Sequence, residues 1–337
     1  MSTTSMSLET LSFLLQHMDA NKRFEICKRC PSLREFEKSV PLKINSLVLT
    51  ESCVTVNDTA YRIGILRKSK AGETPRHIAE INEIGGVAYD VDEYGLRDES
   101  NALSVTPGDV VMSQHEEPFL QDEDNAMKQM ATLLLGARSS PINVTKFEIS
   151  FVIPGVIRLP IGLKLRIEQL VFRAGSGTNV GVLAPILHES SFPLKKLEIG
   201  VWSDEDAANP IVKTAESLRI RDVLTNIRQA ISAIANPVVR ISMPTLPEQA
   251  IKILVRNWIR SQRPVGYMYI FDFYCEPCIP AEMEDILKDL NGIPVDDENV
   301  IIPMSKDTQL KVSHGPFPEF APRSQWAVKF LTEAIEH

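Results

Sequence analysis

A chain of 337 residues, 44% of them hydrophobic, carries enough apolar material for two or three packed domains. Its 44 acidic residues outnumber 36 lysines and arginines, and the net charge of −8 argues against a nucleic-acid footprint, because phosphate binding needs a basic patch that releases counterions. No apolar run reaches the length of about 18 residues that spans a bilayer, and the polar start Met1-Ser2-Thr3-Thr4-Ser5 lacks a signal-peptide core. Five cysteines are an odd, sparse set suited to a reducing compartment, so the expectation is a cytoplasmic or nuclear protein with no membrane partner, its sequons at Asn57 and Asn143 unused.

In chain order, Met6, Leu8, Leu11, Leu14, Leu15 and Met18 are spaced three and four apart, so a helix opening near Ser7 gathers them on one stripe before Asp19-Ala20-Asn21 breaks it. A second helix runs to Cys30 and stops at Pro31. So small a unit cannot bury that stripe alone, and residues 1–41 read as a docking module. From Leu42 the pattern turns to short alternating runs at 42–49, 54–56 and 60–66, which predict strands. Residues 42–120 form a β-rich, turn-rich region, with a solvated basic turn at Arg67-Lys68-Ser69-Lys70 and an ordered irregular insertion at 72–110 that Ile78, Ile81, Ile84 and Val87 help to bury. Next, Met127, Met130, Ala131, Leu134 and Leu135 predict a helix that Gly136 can close.

The remainder, 121–337, repeats itself loosely. Strand-like runs at 146–151, 168–172, 195–201, 216–220, 238–242 and 267–273 start roughly 20 to 30 residues apart, the spacing of leucine-rich solenoid units. Helix-competent stretches at 180–187, 211–215, 220–235 and 247–261 lie between them. Leu197-Glu198-Ile199, Leu218-Arg219-Ile220 and Val239-Arg240-Ile241 each set a polar residue between two apolar ones, which suits a sheet with one wet face better than a doubly wound sheet covered on both. Trp258 with Ile251, Leu254 and Val255, and Trp326 with Phe330 and Leu331 on a C-terminal helix, read as core at helical spacing.

Candidate chemistry is sparse. Gly175-Ser176-Gly177-Thr178-Asn179-Val180-Gly181 follows a strand, but its spacing is one residue too long for a dinucleotide loop. Cys27/Cys30 and Cys275/Cys278 have zinc-ligand spacing within each pair but stand far apart in the chain. Asp90-Val91-Asp92-Glu93-Tyr94-Gly95 begins like a calcium loop, yet Tyr94 occupies a ligand position and Asn101 replaces the bidentate Glu. Six scattered histidines and no nucleophile elbow leave no catalytic constellation. The expectation is a non-enzyme with no cofactor and no metal.

The N-terminal segment resembles an F-box: Met6, Glu9, Leu14, Leu15, Met18, Cys27, Lys28 and Leu33 match its places, with Ser7 where proline is usual and Cys30 where tryptophan is. The chain looks like the nematode-expanded F-box-like proteins with an associated domain of unknown function, on Pro41-Leu42-Lys43-Ile44-Asn45, Val56-Asn57-Asp58-Thr59, Gly85-Gly86 and Thr106-Pro107-Gly108-Asp109. That likeness covers most of 6–115. It implies an α/β chain: F-box-like helices over 1–41, a β-containing middle region over 42–120, and a degenerate leucine-rich-repeat-like α/β solenoid over 121–337. It also implies a substrate receptor of a cullin-based ubiquitin ligase. Met6, Leu8, Leu11, Leu14, Leu15, Met18, Cys27, Lys28 and Leu33 would meet a Skp-type adaptor that joins the cullin, and the repeats would hold an unknown protein substrate. The alternative is an interaction scaffold outside any ligase, whose N-terminal helices only cap the solenoid.

Overall fold

Ser7 starts the first helix: its hydroxyl accepts a hydrogen bond from the Thr10 amide at 3.1 Å, and Leu8–His17 follow as α1. The computed structural model describes residues 6–50, 53–64, 76, 79–80, 102–105, 123–150, 159–173, 179–202, 206, 208–223, 234–243, 250–273, 289–315 and 326–335. Two compact units divide the chain, Met1–Val171 with Leu183–Ser191 and Phe172–Val182 with Phe192–His337. Residues 41 and 120, the expected boundaries, both fall inside the first.

In the first unit, Asp19 caps α2 (Ala20–Arg29) by accepting from the Asn21 amide at 2.8 Å. A 3-10 turn at Pro31–Leu33 then leads into α3 (Arg34–Ser39), a helix not expected from the sequence. The strand pattern after Leu42 yields β1 (Lys43–Leu49), β2 (Cys53–Val56) and β3 (Thr59–Gly64), with β4 (Ala102–Val105) the one described strand of the 72–110 insertion. Next come α4 (Glu123–Leu135), β5 (Ile142–Ser150) and β6 (Leu165–Arg173). The strands run in the order β6-β5-β1-β2-β3-β4. β1 lies parallel to β5, with Leu47 opposite Phe147, and antiparallel to β2; the β2–β3 and β3–β4 pairs are also antiparallel. The predicted stripe of Met127, Met130, Ala131, Leu134 and Leu135 is buried along α4. Gly136 ends that helix: its amide donates to the Thr132 carbonyl, and a Cβ there would stand 2.6 Å from the same oxygen.

Helices and sheet are tied by two buried polar side chains of α2. Asn21 donates to the Val56 carbonyl at 2.9 Å and accepts from the Tyr61 hydroxyl at 2.8 Å. Arg23 donates to the Glu37 carboxylate at 2.8 Å and to the carbonyls of Leu15, Glu37, Val40 and Pro41. The β2–β3 turn joins in, with Asn57 at φ 55 donating to Asp19 Oδ2 at 2.7 Å; asparagine tolerates that left-handed backbone.

The second unit lays β7 (Lys196–Trp202), β8 (Ser217–Val223), β9 (Val238–Met243) and β10 (Met268–Phe273) side by side in chain order and parallel. Equivalent residues meet across them: Leu197 faces Leu218, which faces Val239, which faces Tyr269. All four are buried, whereas Glu198, Arg219 and Arg240 are half-buried, so the predicted wet face is present. Beyond β10 the sheet turns antiparallel through β14 (Trp326–Ala334), β13 (Thr308–Gly315), β12 (Asn299–Pro303) and β11 (Ile293–Pro294), making a mixed sheet and an α/β fold.

The connections depart from expectation in three places. Residues 180–187 give a 3-10 turn, Val180–Leu183, instead of a helix, and 220–223 continue β8. Helices do form as α5 (Pro210–Thr214) and α6 (Ala250–Ser261). The C-terminal helix expected around Trp326, Phe330 and Leu331 is instead β14. Trp326 and Phe330 are four apart, which satisfies either period; Val328, Phe330 and Thr332 are buried in alternation, which only a strand satisfies.

Trp258 of α6 anchors this unit's core, stacking edge-on against Tyr269 at 4.8 Å and Phe330 at 5.8 Å while its indole N–H donates to Thr332 Oγ1 at 2.9 Å. Burial pushes the Tyr269 phenol from its ordinary value of 10 up to about 12, and its hydroxyl donates to the Ile234 carbonyl. The folded state therefore holds this proton more tightly than the unfolded chain does. Stability from Tyr269 is complete below about pH 10 and falls as pH rises toward 12. Urea unfolding of the intact chain and of Tyr269→Phe should show a loss between those pH values in the former that the latter lacks; identical slopes would contradict the assignment.

Candidate functional site

The structure splits the residues that the sequence gathers on one helical stripe. Met6, Leu8 and Leu14 are 55%, 67% and 42% exposed, while Leu15 is 3% exposed and packed inside. Leu11, Met18 and Leu33 are half-buried, Lys28 is exposed, and Cys27 is buried. Leu15 and Cys27 therefore leave the expected contact set. At one turn per 3.6 residues adjacent positions point about 100° apart, so Leu14 meets solvent while Leu15 packs inside. Phe13, which the stripe passed over, is 62% exposed and rests its ring 4.4 Å from that of His17. The available signal was an aromatic on the polar side of an amphipathic helix. Leu8 and Phe13, with Phe36 of α3, border a shallow depression also lined by Glu9, Ser12 and Gln16.

A second feature of the first unit is a cavity of about 400 Å³ lined by α2, α3 and α4. Its walls are Phe24, Pro31, Leu133 and Leu134 on the apolar side and Lys28, Arg34, Glu37, Lys38 and Arg138 on the polar side. Arg138 donates to both Glu37 oxygens, at 3.2 and 3.3 Å, and sets its guanidinium 6.0 Å above the Phe24 ring. The Arg138 Nε–H is buried without an acceptor. Burial, then Arg138 and Arg34, hold the Lys38 ammonium below its ordinary range. Burial, then the Glu37 carboxylate, push the Cys27 thiol up, against Arg34, Arg138 and Arg23.

In the second unit, the wet face carries Glu198 among Arg173, Arg219 and Arg221. Burial raises the Glu198 carboxyl, but hydrogen bonds from Arg221 and Arg173 outweigh it and leave the group below the usual carboxylate range. Trp258, Tyr269, Arg263 and Phe330 border a smaller cavity of about 280 Å³.

Other candidates fall away or lie outside the described residues. Cys275, Cys278, the Asp90–Asn101 segment and residues 174–178 of the glycine-rich run are outside them. Of that run, Asn179 accepts from the Gly181 amide at 2.6 Å and from the Asn209 side chain, and a Cβ at Gly181 would stand 2.7 Å from Asn209 Nδ2, so close packing accounts for this glycine. Among the described residues no group of three or more His, Cys, Asp or Glu is placed to hold a metal ion, and no helix is long and apolar enough to cross a membrane.

Residues 122–274, which run from the start of α4 to the end of β10, match the family described as a domain of unknown function (DUF3557). The matched span begins after residues 6–115, the stretch that carries the F-box-like resemblance. No curated protein and no solved structure matches the chain.

The environment of Cys27 fixes its reactivity relative to Cys30, which is exposed at the end of α2. Brief iodoacetamide treatment of the native chain at neutral pH, followed by peptide mapping, should label Cys30 at least about ten times faster than Cys27, since the thiolate is the nucleophile and needs access. Equal labelling would contradict the buried placement of α2.

Proposed function

We propose that the chain is a substrate-recognition adaptor of a cullin-based, SCF-type ubiquitin ligase, holding a Skp-type adaptor with its N-terminal helices and a protein target with its repeat region. The observation that carries this reading is the exposure of Met6 just before α1 and of Leu8, Phe13 and Leu14 along it, on a helix whose Leu15 is buried. Exposed apolar side chains on an anchored helix are what a helix-in-groove contact draws on. The ligase chemistry belongs to other subunits, and this chain acts as a non-enzyme.

The repeat region is read as a degenerate solenoid from β7 to β10. Support comes from the constant step between Leu197, Leu218 and Val239, and from Asn236, whose amide donates at 2.7 Å to the Val212 and Ala215 carbonyls of the preceding segment. Its wet face offers area for a protein target.

A second reading has its own support. Arg23 fastens α2 to carbonyls at the entry to β1, as a terminal cap would be fastened. On that reading the protein is an interaction scaffold outside any ligase, and the apolar side chains of α1 serve a different partner.

Co-purification separates the two. The intact chain should retain a Skp-type adaptor and cullin, and Leu8→Asp with Leu14→Asp should lose them while keeping its circular dichroism spectrum, since both positions face solvent. An intact, folded chain that retains no adaptor sinks the ligase reading and leaves the scaffold.

A further inference from the structure

The cavity between α2, α3 and α4 concentrates positive charge in a chain whose net charge is −8. Glu37 is the one carboxylate among its lining residues, and both its oxygens are engaged, Oε1 by Arg23 and Arg138 and Oε2 by Arg138. Lys28, Arg34 and Lys38 line the same space, and among the described residues none of them has an ion-pair partner; the one hydrogen bond of the Arg34 guanidinium goes to the Cys27 carbonyl at 3.5 Å. Like charges held together in a partly desolvated site repel one another, and an entering anion relieves that repulsion. The buried Arg138 guanidinium is also one acceptor short.

We propose that this cavity binds a small organic anion, its acid group held by Arg34, Lys38 and Arg138 and its apolar body lying against Phe24, Pro31 and Leu133. The apolar body follows from the other wall. Leu133 is partly exposed at the cavity, and an inorganic ion would leave that wall against water. A volume of about 400 Å³ is within the range of small-molecule sites. This site is separate from the α1 surface, so it stands or falls independently of the ligase reading.

Isothermal titration of the full chain with phenyl phosphate, with benzoate and with benzyl alcohol tests the assignment. At least one of the two acids should bind saturably, and the tighter of them identifies the acid group; benzyl alcohol should not bind. Inorganic phosphate should bind more weakly than phenyl phosphate. Arg34→Gln and Lys38→Met should each weaken binding by about tenfold, the loss expected when one charge-assisted hydrogen bond goes. Leu133→Glu, at a position that already meets solvent, should abolish binding by setting a carboxylate in the mouth. Failure of both acids to saturate the folded chain at about 10 mM, a concentration that would reveal even millimolar affinity, overturns the proposal. So does binding that survives unchanged in the folded Arg34→Gln, Lys38→Met double variant.

Discussion

The guanidinium of Arg23 is the interaction on which the first unit depends. It lies buried between α2 and α3, and its five N–H donors reach one carboxylate and four backbone carbonyls. Those carbonyls belong to Leu15 near the end of α1, to Glu37 within α3, and to Val40 and Pro41 in the approach to β1. The Leu15 and Glu37 carbonyls also accept from the Met18 and Val40 amides, whereas the Val40 and Pro41 carbonyls have Arg23 as their donor, so one side chain ties the ends of α1 and α3 to the entry of β1. Burial pulls its pKa down and Glu37 pushes it back up; an arginine remains charged in such a site because its intrinsic pKa is so high. Removing one member of a buried ion pair of this kind costs about 3–5 kcal/mol, far more than a surface pair contributes.

That fastening shapes what the outside of the helices can do. Because Arg23, Phe24 and Cys27 point inward, α2 presents little apolar surface to solvent, and the outward apolar groups fall on α1. Because Glu37 is hydrogen-bonded by both Arg23 and Arg138, it offsets only part of the repulsion among the cations around the cavity, and Lys38 stays below its ordinary range. The buried network thus reaches both α1, through the Leu15 carbonyl, and the basic cavity, through Glu37 and Arg138. In the second unit the same task falls to aromatic packing: Trp258 bridges α6, β10 and β14, with the Arg263 guanidinium 6.0 Å from its ring.

Much of the architecture is legible in the sequence where hydrophobic period and punctuation agree. Ser7, Asp19 and Pro31 bracket the first two helices, Gly136 ends α4, and the three-residue pattern at Leu197, Leu218 and Val239 anticipates a sheet with one wet face. Period alone fails where two periods coincide, as with Trp326 and Phe330, which are neighbours on a helix and on a strand alike. In the antiparallel extension β11–β12 and β12–β13 are short hairpins, but the pairing that joins it to the parallel strands, Trp326 of β14 opposite Phe273 of β10, is distant in sequence and no local pattern encodes it. The site is less legible still. Stripe spacing cannot say which of Leu14 and Leu15 faces inward, because both lie within the width of an apolar face. Nothing local marks Arg23 as buried, since its partners lie up to Pro41 and an arginine in a charged stretch reads as solvated. The basic cavity needs Arg138, brought beside Glu37 by the packing of α4.

Native-state hydrogen exchange of the full chain, with and without Arg23→Met, tests the dependence on this network most directly. If the N-terminal helices and sheet are one cooperative body, amides of α2 and β1 open with similar free energies in the intact chain, and the substitution lowers both together by about 3–5 kcal/mol. Helical amides that exchange far more readily than those of β1 in the intact chain, or a substitution that leaves β1 protection untouched, would contradict it and make the N-terminal helices an independent module.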